Sequence, residues 1–278
     1  MTRHLSRTPL LVVTVLAMAC TAKEQPAAPP AIRNLAITAT NYAFEAPDTI
    51  PSGMTAIAML NKGPGFHHAQ LVRLDSGKTA KDLGDAMKDP MKPPPVWATF
   101  VPGPNPVDPG STANETIDLA AGNYAIICLV DIPEHKPHFA LGMIRPLVVT
   151  QSTGPSAAAP TADVSIALSD YKFIISTPLT AGRHVIEVSN SGPQPHELFV
   201  LKLAAGKTLD DFGKWMAKPV GPPPGVAMGG ISTGMPGAKA WFSVDLTPGD
   251  YALICFVPDA KDGKSHIEHG MVQPFKIG

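Results

Sequence analysis

The sequence predicts an all-β protein made of two tandem β-sandwich domains, each with one short helix. Its 278 residues suit two domains, since single domains hold roughly 100–200 residues. The chain contains an internal repeat, and most segments in each copy show the alternation or β-branched enrichment of strands. Proline (31 residues) and glycine (24 residues) are frequent, while charged residues make up only 16%, which is untypical of long helices and coiled coils.

The composition excludes several classes of protein. Lysine and arginine number 22 and aspartate and glutamate 23, so the net charge of −1 lacks the basic excess of nucleic-acid-binding proteins. The three cysteines are too few for a small fold held together by disulfides. A hydrophobic fraction of 44% is enough for a sizeable core, which excludes disorder throughout the chain.

The repeat is visible without gaps in two blocks. Residues 61–84 align with residues 190–213, and ten of the 24 positions are identical. Further on, LAAGNYAIICLV at 119–130 aligns with LTPGDYALICFV at 246–257. Each copy is therefore about 115 residues long, which is within the range of one sandwich domain.

The segments of each copy have distinct local patterns. Alternation, β-branched residues and opening turns predict strands at 35–40, 123–130, 164–168, 183–189 and 250–257. One short helix per copy is predicted, at 78–88 and 207–217, where a Gly-Lys-Thr sequence is explained by capping and not by a phosphate-binding loop. The proline- and glycine-rich stretches 89–110 and 219–237 are predicted as long loops.

The N-terminus has the pattern of an export signal. Arg3 and Arg7 precede an uncharged run that is too short to span a bilayer, and small residues lead up to Cys20. This end resembles a bacterial lipoprotein cleavage site, which implies a lipidated Cys20; the alternative is ordinary signal cleavage nearby, with Cys20 lost or left free. The predicted organisation is a signal peptide 1–19, a flexible tether 20–31, a first domain 32–150, a linker 151–161 and a second domain 162–278.

Each copy carries a histidine, a cysteine, a second histidine and a methionine in the same order. In the first copy these are His67, Cys128, His138 and Met143, and in the second copy His196, Cys255, His266 and Met271. Two imidazoles and a thiolate hold copper in a trigonal plane, with a thioether as a weak axial ligand. Because the thiolate favours Cu(I) and the imidazoles also bind Cu(II), the pattern is typical of a one-electron carrier.

These residues resemble the cupredoxins, the plastocyanin- and azurin-like blue copper proteins, over nearly all of residues 32–278. The resemblance implies a Greek-key β-sandwich in each copy and one type 1 copper per domain. By that resemblance His67 and His196 are the first ligands, and the cysteine, second histidine and methionine of each copy follow on one loop. Nine residues separate Cys128 from His138 and ten separate Cys255 from His266, which is longer than in the simple carriers of the family and nearer to copper nitrite reductases.

Other interpretations of the same residues stay open. His68, His135 and His269 lie near the predicted ligands, but none has a histidine at the corresponding position of the other copy. Buried cysteine, histidine and methionine also occur as ordinary core residues. A cysteine–histidine hydrolase is a further alternative, which the methionine after each pair disfavours.

The predicted function is one-electron transfer with a redox partner protein at a bacterial cell envelope, where a lipid anchor is the only membrane contact. Isoleucine precedes both cysteines, and the histidines lack the His-x-His pairs of type 2 and trinuclear copper sites. The sequence therefore predicts a protein that is not an oxidase, a nitrite reductase or another enzyme. The alternatives are copper storage or delivery and a metal-free cupredoxin-like interaction module; the oligomeric state is left open.

Overall fold

The structure is a computed structural model that describes Met1 and residues 30–89 and 93–278. Apart from Met1, the predicted signal peptide 1–19 lies outside the described residues, as do Cys20 and most of the tether 20–31. In the described part of the chain, neither helix has the length and apolar character needed to cross a membrane.

The described residues of the first domain form nine strands and one α-helix. In chain order they are β1 Arg33–Thr40, β2 Ala43–Glu45, β3 Thr49–Pro51, β4 Gly53–Asn61, β5 Gln70–Leu74, α1 Ala80–Ala86, β6 Ala98–Val101, β7 Thr112–Leu119, β8 Gly122–Ile127 and β9 Ile144–Thr150. A 3-10 turn at His138–Leu141 lies between β8 and β9. Strands β2-β1-β4-β7 form one face of a sandwich and strands β3-β9-β8-β5-β6 form the other.

The second domain repeats this plan with eight strands. They are β10 Val164–Ser169, β11 Lys172–Ile175, β12 Gly182–Asn190, β13 His196–Leu203, β14 Gly225–Gly234, β15 Lys239–Leu246, β16 Gly249–Ile254 and β17 Val272–Ile277, with α2 Leu209–Ala217 after β13. Its two faces are β11-β10-β12-β15 and β14-β13-β16-β17. The first strand of each domain pairs in parallel with a later strand, β1 with β4 and β10 with β12. The strands that lead to the cysteines, β8 and β16, make antiparallel pairs. The predicted all-β fold of two sandwiches is confirmed.

Both helices begin two residues later than predicted because a threonine caps each of them. Thr79 accepts a hydrogen bond from the Asp82 amide, and the Asp82 side chain accepts one from the Thr79 amide. Thr208 and Asp211 make the same capping box at α2. Such reciprocal bonds satisfy two amides that the first helical turn leaves free, so the threonine lies just outside the helix.

The two predicted long loops are wrong in part, since each contains a strand. Strand β6 lies within 89–110, and β14 runs through most of 219–237. The glycines that favoured a loop are needed for close packing: a Cβ on Gly230 would lie 1.9 Å from the Leu198 carbonyl oxygen, and φ there is +124°. Glycine in a strand allows such an approach of two backbones and the bulges seen along β13 and β14.

The two domains share a sheet edge and a buried polar seam. Strands β7 and β15 pair across the domains, which joins four strands of each domain in one eight-stranded sheet. Residues from the β6–β7 connection meet β14: the Ser232 amide donates to the Gly103 carbonyl at 2.8 Å, and the Gly103 amide donates to the Ser232 hydroxyl at 2.9 Å. The Asn105 side chain donates to the Leu198 carbonyl at 3.1 Å.

The predicted linker 151–161 packs against the first domain. The Ser152 hydroxyl accepts a hydrogen bond from Arg33, and the Ser156 hydroxyl accepts one from the Met54 amide at 2.8 Å. Ala157 is buried between Met54 and Trp241, a residue of the second domain. The linker therefore contributes packing contacts as well as connecting the two domains.

Replacing Asn105 with alanine is expected to lower the free energy of unfolding by about 1–3 kcal/mol, because a buried carbonyl partner is left without its donor. Asn105 is 1% exposed. The matched control is Asn114→Ala, which removes two hydrogen bonds to Ser243 at an exposed part of the same domain contact. Urea unfolding followed by circular dichroism measures the free energy of unfolding of both variants. An equal decrease in the two variants would show that burial of the seam contributes nothing to stability.

Candidate metal centres

The predicted ligands of the first domain converge at one end of its sandwich. Strand β8 ends opposite the beginnings of β5 and β9. His67 lies just before β5, Cys128 just after β8, and His138 at the start of the 3-10 turn that leads into β9. The strand register therefore brings together residues that are 10 and 61 positions apart in the sequence.

Three donor atoms of this group face one another. The Cys128 Sγ atom lies 3.9 Å from His67 Nδ1 and 3.4 Å from His138 Nδ1. The two Nδ1 atoms are 3.1 Å apart. All three side chains are buried, at 0–6% exposure.

The second domain reproduces this triangle. The Cys255 Sγ atom lies 4.0 Å from His196 Nδ1 and 3.3 Å from His266 Nδ1, and the two nitrogens are 3.0 Å apart. These three residues are fully buried. Both groups are sets in which each residue offers one ligand atom to a common metal ion.

The triangles fit a trigonal metal site. With metal–nitrogen distances of about 2.0 Å and a metal–sulfur distance of about 2.3 Å, a trigonal plane has a nitrogen–nitrogen edge of about 3.5 Å and nitrogen–sulfur edges of about 3.7 Å. The observed edges of 3.0–4.0 Å bracket these values. A thiol with two imidazoles is the donor set that binds copper in blue copper sites, so the residues present fit that metal.

Backbone hydrogen bonds join each predicted methionine to the cysteine and to the second histidine of its domain. The Met143 carbonyl accepts a hydrogen bond from the Cys128 amide at 3.3 Å, and the Met143 amide donates to the His138 carbonyl at 3.0 Å. Met271 makes the same pair of bonds with Cys255 and His266, at 3.2 and 2.8 Å. Both methionines are 0% exposed and belong to the same buried cluster as the cysteines.

Burial keeps the copper-free imidazoles neutral. Desolvation, with a smaller repulsion from His138, lowers the pKa of His67 to about 4, and desolvation together with His196 lowers the pKa of His266 to about 4. Burial also lowers the pKa of His138 and of His196. Neutral imidazoles offer a lone pair to a metal at physiological pH.

The thiols are protonated until a cation arrives. Desolvation raises the pKa of Cys128 to about 12 and raises the pKa of Cys255 as well. A metal ion reverses this preference, because a coordinating thiol loses its proton outright. The three donor side chains of each metal-free site are therefore uncharged, and binding of a divalent ion releases one proton per site.

The three competing histidines lie elsewhere. His135 is exposed, with φ +55° at the tip of the ligand loop. The His68 ring is buried, but its Nε2 accepts a hydrogen bond from the Leu129 amide at 3.3 Å. His269 lies near Asp259 and Asp262 in a separate, partly exposed group, and its Nε2 is 3.1 Å from Asp262.

Comparison with known proteins gives structural neighbours only. No protein-family model matches the sequence, and a search of curated proteins finds no match. Auracyanin A, a "blue" copper protein from Chloroflexus aurantiacus, is 20% identical; the match covers 43% of this chain and 100% of auracyanin, with a TM-score of 0.31. A copper-containing nitrite reductase from Thermus scotoductus is 12% identical over 89% of this chain and 62% of the enzyme, with a TM-score of 0.25. A multicopper oxidase from Aquifex aeolicus is 9% identical over 89% of this chain and 66% of the oxidase, with a TM-score of 0.30.

The strand plan and the repeated His-Cys-His groups agree on the architecture. The chain has a cupredoxin-like fold. At such low identity the likeness concerns the fold alone.

The expectation that the chain is not an enzyme is wrong as a conclusion from the sequence. The two-domain cupredoxin structures that cover most of the chain are largely copper nitrite reductases and multicopper oxidases, which are enzymes. A claim of no enzymatic activity is therefore not supported.

An asparagine fixes the turn before the first histidine of each domain. The Asn61 side chain donates to the carbonyls of Gly65 and Val107, both at 2.8 Å, and accepts a hydrogen bond from the Gly63 amide at 2.9 Å. Asn190 makes the corresponding bonds to Gln194, Gly234 and Gly192 at 2.9 Å. The identity of these asparagines in the repeat was visible in the sequence, but their role in holding the ligand turn was not recognised.

The residue after the first histidine locks the cysteine loop in both domains. Glu197 Oε1 accepts a hydrogen bond from the Phe256 amide at 2.8 Å, as His68 does from Leu129, and the Glu197 amide donates to Cys255 Sγ at 3.5 Å. Burial raises the pKa of Glu197 to about 7. Because His68 and Glu197 are different residue types, an alignment of the two copies does not reveal that they make corresponding hydrogen bonds.

Acidification is expected to destabilise the copper-free protein. Burial, the largest cause, lowers the pKa of His68 from 6.5 to about 3. Between these values the unfolded chain binds a proton that the folded chain does not, so the free energy of unfolding decreases as the pH falls through this window. Thermal unfolding in the presence of a chelator measures it, with His68→Gln as the matched variant, since glutamine keeps an acceptor for Leu129. An equally steep pH dependence in His68→Gln would contradict the assignment.

Proposed function

We propose that each cupredoxin domain binds one copper ion in a type 1 site and that the protein acts in one-electron transfer. The observation that carries the proposal is the pair of buried triangles, each with one thiol and two imidazole Nδ1 atoms 3.0–4.0 Å apart. Blue copper proteins among the structural neighbours support copper as the metal. When bound, copper supplies a centre that accepts and releases one electron.

The residues of the chain hold this geometry in both oxidation states. The Asn61 and Asn190 bonds fix the first histidine, and the backbone bonds between methionine, cysteine and the second histidine fix the loop. Each cysteine gives up its proton on metal binding, while each histidine presents Nδ1. Because the donors are close-packed and buried, they move little when the charge of the centre changes, and this favours rapid electron exchange.

Location and partners are part of the same proposal. The N-terminal pattern supports export and attachment to a bacterial cell envelope through a lipid on Cys20. A redox partner protein would then dock near a copper site at the open end of a sandwich. The 3-10 turn that carries His138 is only partly covered, with Ala140 exposed beside it.

Repeated redox cycling distinguishes electron transfer from copper storage. The copper-loaded mature protein is reduced with ascorbate and reoxidised with ferricyanide over several cycles, while the blue Cu(II)–thiolate band and the protein-bound copper are measured. Full recovery of the band with no loss of copper is the expected result. A protein that stays colourless, or that releases copper on reduction or oxidation, would favour storage or delivery. The same assay with Cys128→Ala and Cys255→Ala combined provides the baseline without either site.

A further inference from the structure

The two sites have the same ligands but different groups behind the imidazoles. In the second domain, His196 Nε2 donates to Asp170 Oδ1 at 3.0 Å. In the first domain, the corresponding His67 Nε2 is buried and has no hydrogen-bond partner. The position of Asp170 is taken by Asn41, and each of the two precedes a tyrosine with positive φ in the turn after the first strand of its domain.

A second carboxylate lies behind the other imidazole of the second domain. Asp259 Oδ2 is 3.8 Å from His266 Nε2, which is too far for a hydrogen bond, so Asp259 acts on this imidazole through its charge alone; both side chains are at most 1% exposed. Hydrogen bonds from Tyr171, from Gln194 at 2.9 Å and from the Lys261 amide at 2.8 Å hold this carboxylate in place. In the part of the chain that the structure describes, no carboxylate oxygen lies within 4.0 Å of a nitrogen of His67 or His138.

Only the second site has carboxylates next to its imidazoles, and the acidic groups near the thiols do not offset this difference in charge. Cys128 has one acidic neighbour, Asp131, and Cys255 has one, Glu197. Each thiol therefore has the same number of acidic neighbours. Asp170 and Asp259 are the additional negative charges, and both are on the second domain.

The physical consequence concerns the reduction potential. A carboxylate that accepts a hydrogen bond from a metal-bound imidazole makes that ligand more basic, and a negative charge disfavours the addition of an electron. We propose that Asp170 and Asp259 hold the second copper site at a lower reduction potential than the first, so that electrons pass from the second domain to the first. This inference rests on the proposed type 1 function. In the transfer, Cu(I) of the second site is oxidised to Cu(II) and Cu(II) of the first is reduced to Cu(I), with no bond or proton moved.

The domain seam offers a short route between the sites. The Val107 amide donates to the His67 carbonyl at 3.3 Å, and Val107 lies two residues after Asn105. Asn105 in turn donates to the Leu198 carbonyl, two residues after His196. Two hydrogen bonds and a few residues of backbone thus join the first histidine of one site to the first histidine of the other.

Redox titration of the blue band tests the proposal. The potential of each site is measured alone, the first in Cys255→Ala and the second in Cys128→Ala. The second site is expected to have the lower potential, and Asp170→Asn is expected to raise it without changing the first. Asn41→Asp is expected to lower the potential of the first site. Asp210→Asn removes the same charge from an exposed position on α2 and is the control, with no shift expected.

The outcomes separate this inference from the proposed function. Equal potentials, a higher potential in the second site, or an Asp170→Asn shift no larger than that of Asp210→Asn would overturn the inference while leaving two type 1 sites intact. Absence of a blue band from both single-site proteins would instead overturn the proposed function. Asp170 acts through His196 and is a positioning residue; a merely structural role would change copper affinity but not the potential of the bound metal.

Discussion

Cys128→Ala is expected to remove the copper of the first domain and about half of the blue absorption, with Cys255→Ala removing the other half, because only a thiolate gives this band. The fold is expected to persist, since loss of a buried small side chain costs about 1–3 kcal/mol. The copper-dependent rise in melting temperature is expected to shrink in each single variant and to vanish in the double variant, since a ligand stabilises only the state that binds it. Elemental analysis, absorption and calorimetry measure the three effects.

A serine variant is the control for these cysteine variants, because Cys128→Ser keeps the size of the side chain. It is expected to lose the band as Cys128→Ala does. Retention of full copper and a full band in either alanine variant would contradict the assignment of that cysteine. Loss of both coppers from one single variant would show that the two sites are coupled through the domain seam.

Gly63→Ala is expected to abolish copper binding in the first domain while leaving the fold intact. A Cβ on Gly63 would lie 2.1 Å from His67 Nε2 and 2.5 Å from Cδ2, so the imidazole must rotate away from the thiol. The copper content is expected to fall by one ion per chain, as for Cys128→Ala. Visible absorption and elemental analysis measure this result.

Gly65→Ala is the matched control for this turn. A Cβ at Gly65 meets nothing within 4 Å, so copper binding is expected to be unchanged. Gly192→Ala tests the same contact in the second domain, where the Cβ would be 2.7 Å from His196 Nε2. Full copper occupancy in Gly63→Ala would contradict the observed packing of the His67 ring.

The fold can be predicted from the sequence because the patterns that indicate strands are local and occur in both copies of the repeat. Alternation along 35–40 and the turn before 123–130 predict strands, and the repeat predicts two units of one kind. The local sequence does not predict β6 and β14, because β6 has only four residues within a proline-rich stretch and β14 contains four glycines. Their strand character comes from pairing with β5 and β13, which no local pattern reveals.

The candidate ligands could be selected by order and spacing, but the surrounding groups could not. His67, Cys128 and His138 form a triangle only because the strand register places three chain segments together. Asp170 lies 26 residues before the imidazole that it contacts, and its counterpart is an asparagine, so the repeat gave no identity to follow. Comparing the two copies for identical residues finds the ligands that the two sites share, but it does not find the residues in which the sites differ.

The most direct test of the account is an anomalous difference map, recorded at the copper absorption edge from crystals of the copper-loaded protein. We expect two peaks, each about 2.0–2.3 Å from one Sγ and two Nδ1 atoms, at His67, Cys128 and His138 and at His196, Cys255 and His266. A map without these peaks, or with copper at the partly exposed group of Asp259, Asp262 and His269 instead, would contradict both assigned sites.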